Sequence, residues 1–236
     1  MGKNLIQQRR GKGSIFRAMS HTYKGEARHP AITAETITAT VHLIEKCPGH
    51  SAPVATIRQS NGVEGFMIVP EGIREKDTIT IGNDAEIKPG NTLTLEKIPD
   101  GTIIYNVEIN PGDGGKIARA AGTSAKLVAK LGNKATIILP SKKEKTVNIK
   151  CRATIGTTAG GGQPEKPLVK AGKNFHRKKA RRKLYPVVGG VSMSAVAHPF
   201  GGKKSSKKGR PTQSARSSPP GRKVGKIAPR RTGRRR

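Results

Sequence analysis

The sequence predicts a mostly β protein: two small barrels in tandem, with long basic extensions at the N- and C-termini. Three observations point there. Segments rich in β-branched residues, punctuated by Gly, Pro and Asn turns, fill the middle of the 236-residue chain. The composition, 33% hydrophobic and 3% aromatic with no Trp, excludes one large aromatic-rich core and leaves small cores of Ile, Val, Leu and Ala. Finally, the formal charge of +31 is distributed very unevenly: +6 over residues 1–30, +2 over residues 31–150 and +23 over residues 151–236. Mixed-sign charge suits the solvated surface of a folded body, whereas blocks of one sign read as interaction arms.

The elements follow in order. Residues 36–46 (TITATVHLIEK) alternate over much of their length and predict the first strand. Shorter strands are expected at 54–59, 65–69 and 78–81, separated by the turn pairs Pro48-Gly49, Asn61-Gly62, Glu71-Gly72 and Gly82-Asn83. Turns every ~8–12 residues suit a small barrel. Pro89-Gly90-Asn91 breaks the pattern and marks a boundary. A second set of strands is expected at 102–109, 125–130, 135–139, 145–150 and 152–155, with Leu131-Gly132-Asn133-Lys134 as a hairpin connection. Gly160-Gly161-Gly162 ends the barrel region, and residues 168–184 (LVKAGKNFHRKKARRKL) have helical character. From 203 to 236 no apolar period survives; such a segment cannot offset its ordering entropy alone and is expected to order only on a polyanion. The expected organisation is a basic arm at 1–33, barrels at 34–86 and 87–165, and a basic extension at 166–236.

Several classes are excluded. Residues 1–10 lack the apolar core of a secretory signal, and no apolar run approaches the ~18–20 residues of a membrane span. Ile6 stands where a myristoylation signal needs Ser or Thr. Two cysteines, Cys47 and Cys151, are too few for a disulfide framework and suggest free thiols in a reducing cytoplasm. A charge this large needs anionic company.

Four features compete for function. The glycine-rich stretch from Pro111 to Gly122 reads as a backbone clamp on an RNA phosphate, its NH groups opening a short helix with Lys116 and Arg119 on one face; the alternative is a glycine-rich inter-strand loop. It lacks the Gly-Lys-Ser/Thr ending of a nucleotide-binding loop. Cys47-Pro-Gly-His50, with His42 upstream, falls short of the four ligands of structural zinc, so neither metal nor cofactor is expected. His198, in a tight turn before Pro199, is a candidate base, yet residue 197 is Ala and Glu165 is the only acid after residue 150. Hydrogen bonding or stacking on RNA is its expected role. The cationic runs at 176–183, 203–210 and 230–236 suit phosphate contact, and the flank aromatics Phe16, Tyr23, Phe175, Tyr185 and Phe200 suit either base stacking or anchoring of their flanks to the core. The expected phosphate contacts are Arg9, Arg10, Arg17, Lys116, Arg119, Lys173, Arg177, Lys178, Arg181 and Arg182.

The stretches Pro89-Gly-Asn-Thr-Leu93, Pro111 to Gly122, Cys151-Arg-Ala-Thr-Ile-Gly156 and Gly190 to Gly202 resemble, in order, the universal large-subunit ribosomal protein L-two family. The tail from Pro220 to Gly233 is similar to its archaeal and eukaryotic members. The resemblance covers nearly the whole chain. It implies an oligonucleotide-binding (OB) fold barrel followed by an SH3-like barrel, and a structural role in the large ribosomal subunit. It also implies primary binding to large-subunit rRNA near the peptidyl transferase centre. Further implied partners are small-subunit rRNA across the interface, tRNA nearby and other ribosomal proteins, with support for subunit association, tRNA binding and peptide-bond formation. The family's histidine linked with peptidyl transfer falls on His198, but the acid that commonly precedes it is Ala197 here. Two rivals are a DNA-compacting, chromatin-type protein, which the basic arms alone permit, and an acyl-transfer enzyme using His198.

Overall fold

The computed structural model describes residue 17 and residues 19–31, 36–163, 165–202, 213–219 and 221–230. It divides into two compact units, His21–Pro167 and Met1–Ser20 with Leu168–Arg236.

The first unit is β. Its strands are β1 (Ile37–Glu45), β2 (Val54–Gln59), β3 (Glu64–Ile68), β4 (Thr78–Ile81), β5 (Thr92–Thr94), β6 (Ile103–Tyr105), β7 (Ala125–Leu131), β8 (Lys134–Ile138), β9 (Glu144–Asn148) and β10 (Arg152–Ile155). They form one sheet in the order β3-β2-β1-β4-β5-β10-β6-β7-β8-β9. The only parallel joint is β4–β5, through the single pair Ile81↔Thr92. On either side of it each half keeps its own core. Ala39, Val41, Ala55, Ile57, Met67, Ile79 and Ile81 fill the first. Leu93, Leu95, Ile98, Ile104, Leu127, Ile137, Val147 and Ala153 fill the second. This is the OB-fold and SH3-like succession expected from the sequence. A third cluster of Ala27, Ala52, Ile68, Tyr105 and Ala121 ties the halves together. Within it the Tyr105 hydroxyl donates to the Ile68 carbonyl at 2.9 Å, and burial pushes its pKa up.

Local sequence explains the details. In β1 Ala39 and Val41 turn inward while Thr38, Thr40 and His42 face solvent. A bulge between Val41 and Leu43 then slips the register, leaving Leu43 exposed. β10 lies between β5 and β6, so all four of its residues are buried. The β7–β8 hairpin closes through Gly132-Asn133, with Gly132 at φ +54° as a two-residue loop requires. The strand expected at 102–109 stops at Tyr105, because Asn106 takes φ +49°.

In the second unit α1 (Ala171–Lys179) is the one α-helix among the described residues. Its last turn carries His176, Arg177, Lys178 and Lys179, which suits the negative end of the helix dipole. It ends in a left-handed turn: Arg182 at φ +46° donates to Lys179, and Lys183 donates back to Lys178. Further on, β11 (Gln213–Ser214) and β12 (Lys226–Ile227) form a short parallel pair. Val224 is the only buried hydrophobic residue among those described here. Arg9, Arg10 and the run at 203–210 lie outside the described residues, as does the run at 230–236 beyond Arg230.

Candidate nucleic-acid interface

The glycine-rich stretch is not a helix, and the NH groups of Gly112, Gly114 and Gly115 face carboxylates of the chain itself. Gly112, Gly114, Gly115 and Gly122 all have φ between +69° and +87°, which excludes helical backbone. The chain's own carboxylates occupy the clamp. Glu108 accepts from Gly112 and Gly114 at 3.2 Å each, and Asp113 accepts from Gly115 at 3.3 Å. The backbone-clamp expectation for this stretch is therefore corrected: an internal acid fills the place assigned to a phosphate.

Glu108 also binds Arg152, accepting from its side chain at 2.8 Å and from its backbone NH at 2.9 Å. Burial raises the Glu108 pKa, but these bonds and the adjacent cation outweigh it and hold the carboxyl below its usual range. Arg152 reaches on to the Pro30 carbonyl at 2.7 Å. His29 is buried beside them, bonded through Nε2 to the Asn106 carbonyl at 2.7 Å, and burial lowers its pKa to about 4. Burial and the Glu108 charge push the neighbouring Cys151 thiol up to about 11. Cys151 and Arg152 stand in a stretch that carries the family resemblance, but nothing in the sequence announces Glu108 or His29 as their partners. Glu108 stands between Val107 and Ile109 and reads as the solvent side of an alternating strand.

The expected phosphate contacts are placed as follows. Lys116 is exposed. Arg119 is half-buried and donates to the Gly115 and Ala27 carbonyls at 2.8 and 2.6 Å, tying residues 27–30 to the loop. Arg17 is exposed. Lys173 and Arg177 lie four apart on α1 and share one face; Lys178 is on the same helix, and Arg181 and Arg182 form the turn that ends it. Phe175, 43% exposed, meets His176 edge-on with centroids 5.5 Å apart.

Residues 190–202 form a self-closed loop. Gly202 donates to Met193 at 3.1 Å, and Gly201 donates to His198 at 2.9 Å while packing on the Ser194 carbonyl. A Cβ at Gly190 would strike the His198 ring. His198 Nδ1 accepts from the Phe200 backbone NH at 3.0 Å, so the neutral ring carries its proton on Nε2. Among the described residues no group of three or more His, Cys, Asp or Glu is arranged to hold a metal; Cys47 is buried and Cys47 and Cys151 are free thiols. No described helix is long and apolar enough to cross a membrane.

A near-neutral β body is joined in sequence to a cationic extension whose described residues bury a single hydrophobic side chain, Val224, a charge layout suited to a polyanion. Residues 88–221 match the family model described as Ribosomal Proteins L2, C-terminal domain. The chain is 48% identical to the large ribosomal subunit protein uL2 of Methanococcoides burtonii, over all of both chains. It is 50% identical to that of Halorubrum lacusprofundi (99% of this chain, 98% of the relative) and 51% identical to that of Haloquadratum walsbyi (99% and 97%). The chain belongs to the L2 family of ribosomal proteins, of the archaeal type.

Proposed function

We propose that the β unit is a rigid body docking on large-subunit rRNA and that the extension supplies most of the phosphate contacts. Family membership carries the coarser statement: the chain is a structural constituent of the large ribosomal subunit and is cytoplasmic with it. One observation carries the finer one. Residues 168–202 hold eight Lys and Arg, no acid and no buried hydrophobic residue, so their order depends on an external polyanion. Arg9, Arg10, Arg17, Lys116, Lys173, Arg177, Lys178, Arg181 and Arg182 are the proposed phosphate contacts. Arg119 acts mainly from within, holding the loop that presents Lys116.

The proposal extends to a location near the peptidyl transferase centre, with small-subunit rRNA, tRNA and other ribosomal proteins as neighbours. In this reading the protein supports subunit association, tRNA binding and peptide-bond formation by shaping RNA. His198 is its hydrogen-bond donor: with Nδ1 accepting from a backbone NH, the neutral ring is left with an Nε2–H, which suits an RNA acceptor and not proton abstraction. Residues 166–236 contain no acid to orient it as a base.

Chemical footprinting of archaeal large-subunit rRNA with and without the protein, run beside competition with duplex DNA at fixed salt, tests the reading. Discrete protections and preference for rRNA are expected; equal binding to both overturns it in favour of a DNA-compacting protein.

A further inference from the structure

Close behind the cationic run stand three branched aliphatic residues that the chain leaves in water: Leu184, Val187 and Val188 are 45%, 72% and 46% exposed. Nothing in their own unit is built to cover them, since Val224 is its only buried hydrophobic among the described residues. Phosphates have no use for aliphatic side chains, so these three do not serve the electrostatic docking proposed for their neighbours. Exposed apolar groups concentrated in a short segment mark a contact.

The charge around them selects the partner. Residues 168–202 carry eight cations and no acid, so a partner beside Leu184 must be strongly anionic and still offer apolar surface. RNA with unpaired bases meets both demands within the length of one nucleotide: the phosphate faces the cations and the exposed base face meets the aliphatic groups. We infer that Leu184, Val187 and Val188 form an apolar wedge against unstacked rRNA bases, following the phosphate-binding turn of Arg181 and Arg182. The inference rests on the RNA-docking reading above and adds a base-contacting site to it.

The test uses the full chain and an archaeal large-subunit rRNA transcript. The serine triple variant L184S/V187S/V188S is compared with wild type and with K178Q/R181Q/R182Q; the aliphatic groups are exposed, so serine leaves no cavity. The serine variant is expected to bind more weakly at every salt concentration, on the order of ten- to a hundredfold, with an unchanged slope of log affinity against log salt. Dimethyl sulfate reactivity should return at a few unpaired bases that wild type protects. The glutamine variant should instead flatten the slope. Wild-type affinity and base protection in the serine variant overturn the wedge alone. So does a defect that appears only in complete subunits, which assigns the patch to a protein neighbour. A wild type that binds rRNA no better than duplex DNA overturns the underlying reading and the wedge with it.

Discussion

Glu108 and Arg152 meet at 2.8 Å inside the β unit, Glu108 fully buried and Arg152 with 9% of its side chain exposed. The pair does more than neutralise itself: Glu108 gathers the NH groups of Gly112, Gly114 and Arg152, and Arg152 holds the Pro30 carbonyl. One ion pair thus joins the glycine loop, β10 and the segment leading into β1. Removing Glu108 strands a buried cation. E108A should destabilise the chain by roughly 3–5 kcal/mol in urea unfolding, whereas E108L/R152M should cost clearly less than the two single changes combined.

His29 makes the same region sensitive to acid. Its pKa falls from the ordinary 6.5 to about 4 on folding, so the unfolded chain binds the proton first. Its stabilising contribution is complete above pH 6.5 and fades as pH drops toward about 4, by roughly 3 kcal/mol in all. Replacing His29 by Gln should flatten the pH dependence of the urea midpoint between those limits; an unchanged profile contradicts the assignment.

Gly115 combines φ +87° with a site where a Cβ would meet the Asn106 side chain and carbonyl. Gly115→Ala should therefore cost on the order of 2–4 kcal/mol. Gly62, at φ +81° with nothing within 4 Å, bears only the conformational term, so Gly62→Ala should cost about 1 kcal/mol. Thermal unfolding of the two variants side by side separates crowding from backbone strain.

For His198, the hydrogen-bond-donor reading predicts that fully assembled subunits carrying H198Q, which keeps a donor, form peptide bonds at close to the wild-type rate. H198A should weaken assembly more than it slows the reaction in those subunits that do assemble. Abolished reaction in fully assembled H198Q subunits contradicts a purely structural role.

The fold was legible where burial and alternation agree. β2, β4 and β10 stand where their β-branched runs stand, and the hairpin at Gly132-Asn133 announces itself by turn chemistry. β5 was hidden because three residues directly after Pro89-Gly90-Asn91 resemble the end of a turn; only pairing with β10 and β4 makes Thr92–Thr94 a strand. The glycine loop is ambiguous in sequence because glycines and a cation near a possible helix start fit a phosphate cradle and an internal carboxylate cradle equally well. Choosing between them requires knowing that Glu108 is buried, a tertiary fact. The cationic extension was legible from charge alone, while the His198–Gly190 packing depends on a loop closure that spacing does not encode.

The salt dependence of rRNA affinity reads out whether the extension meets the phosphates of the RNA. With the nine proposed contacts each neutralising a phosphate, wild type should show a log–log slope of about −6 to −8. Changing Lys173, Arg177, Lys178, Arg181 and Arg182 together to Gln should reduce its magnitude by about 3.5–4.5. A variant that keeps the full wild-type slope would mean that those five cations face no phosphate and that the extension does not dock through them.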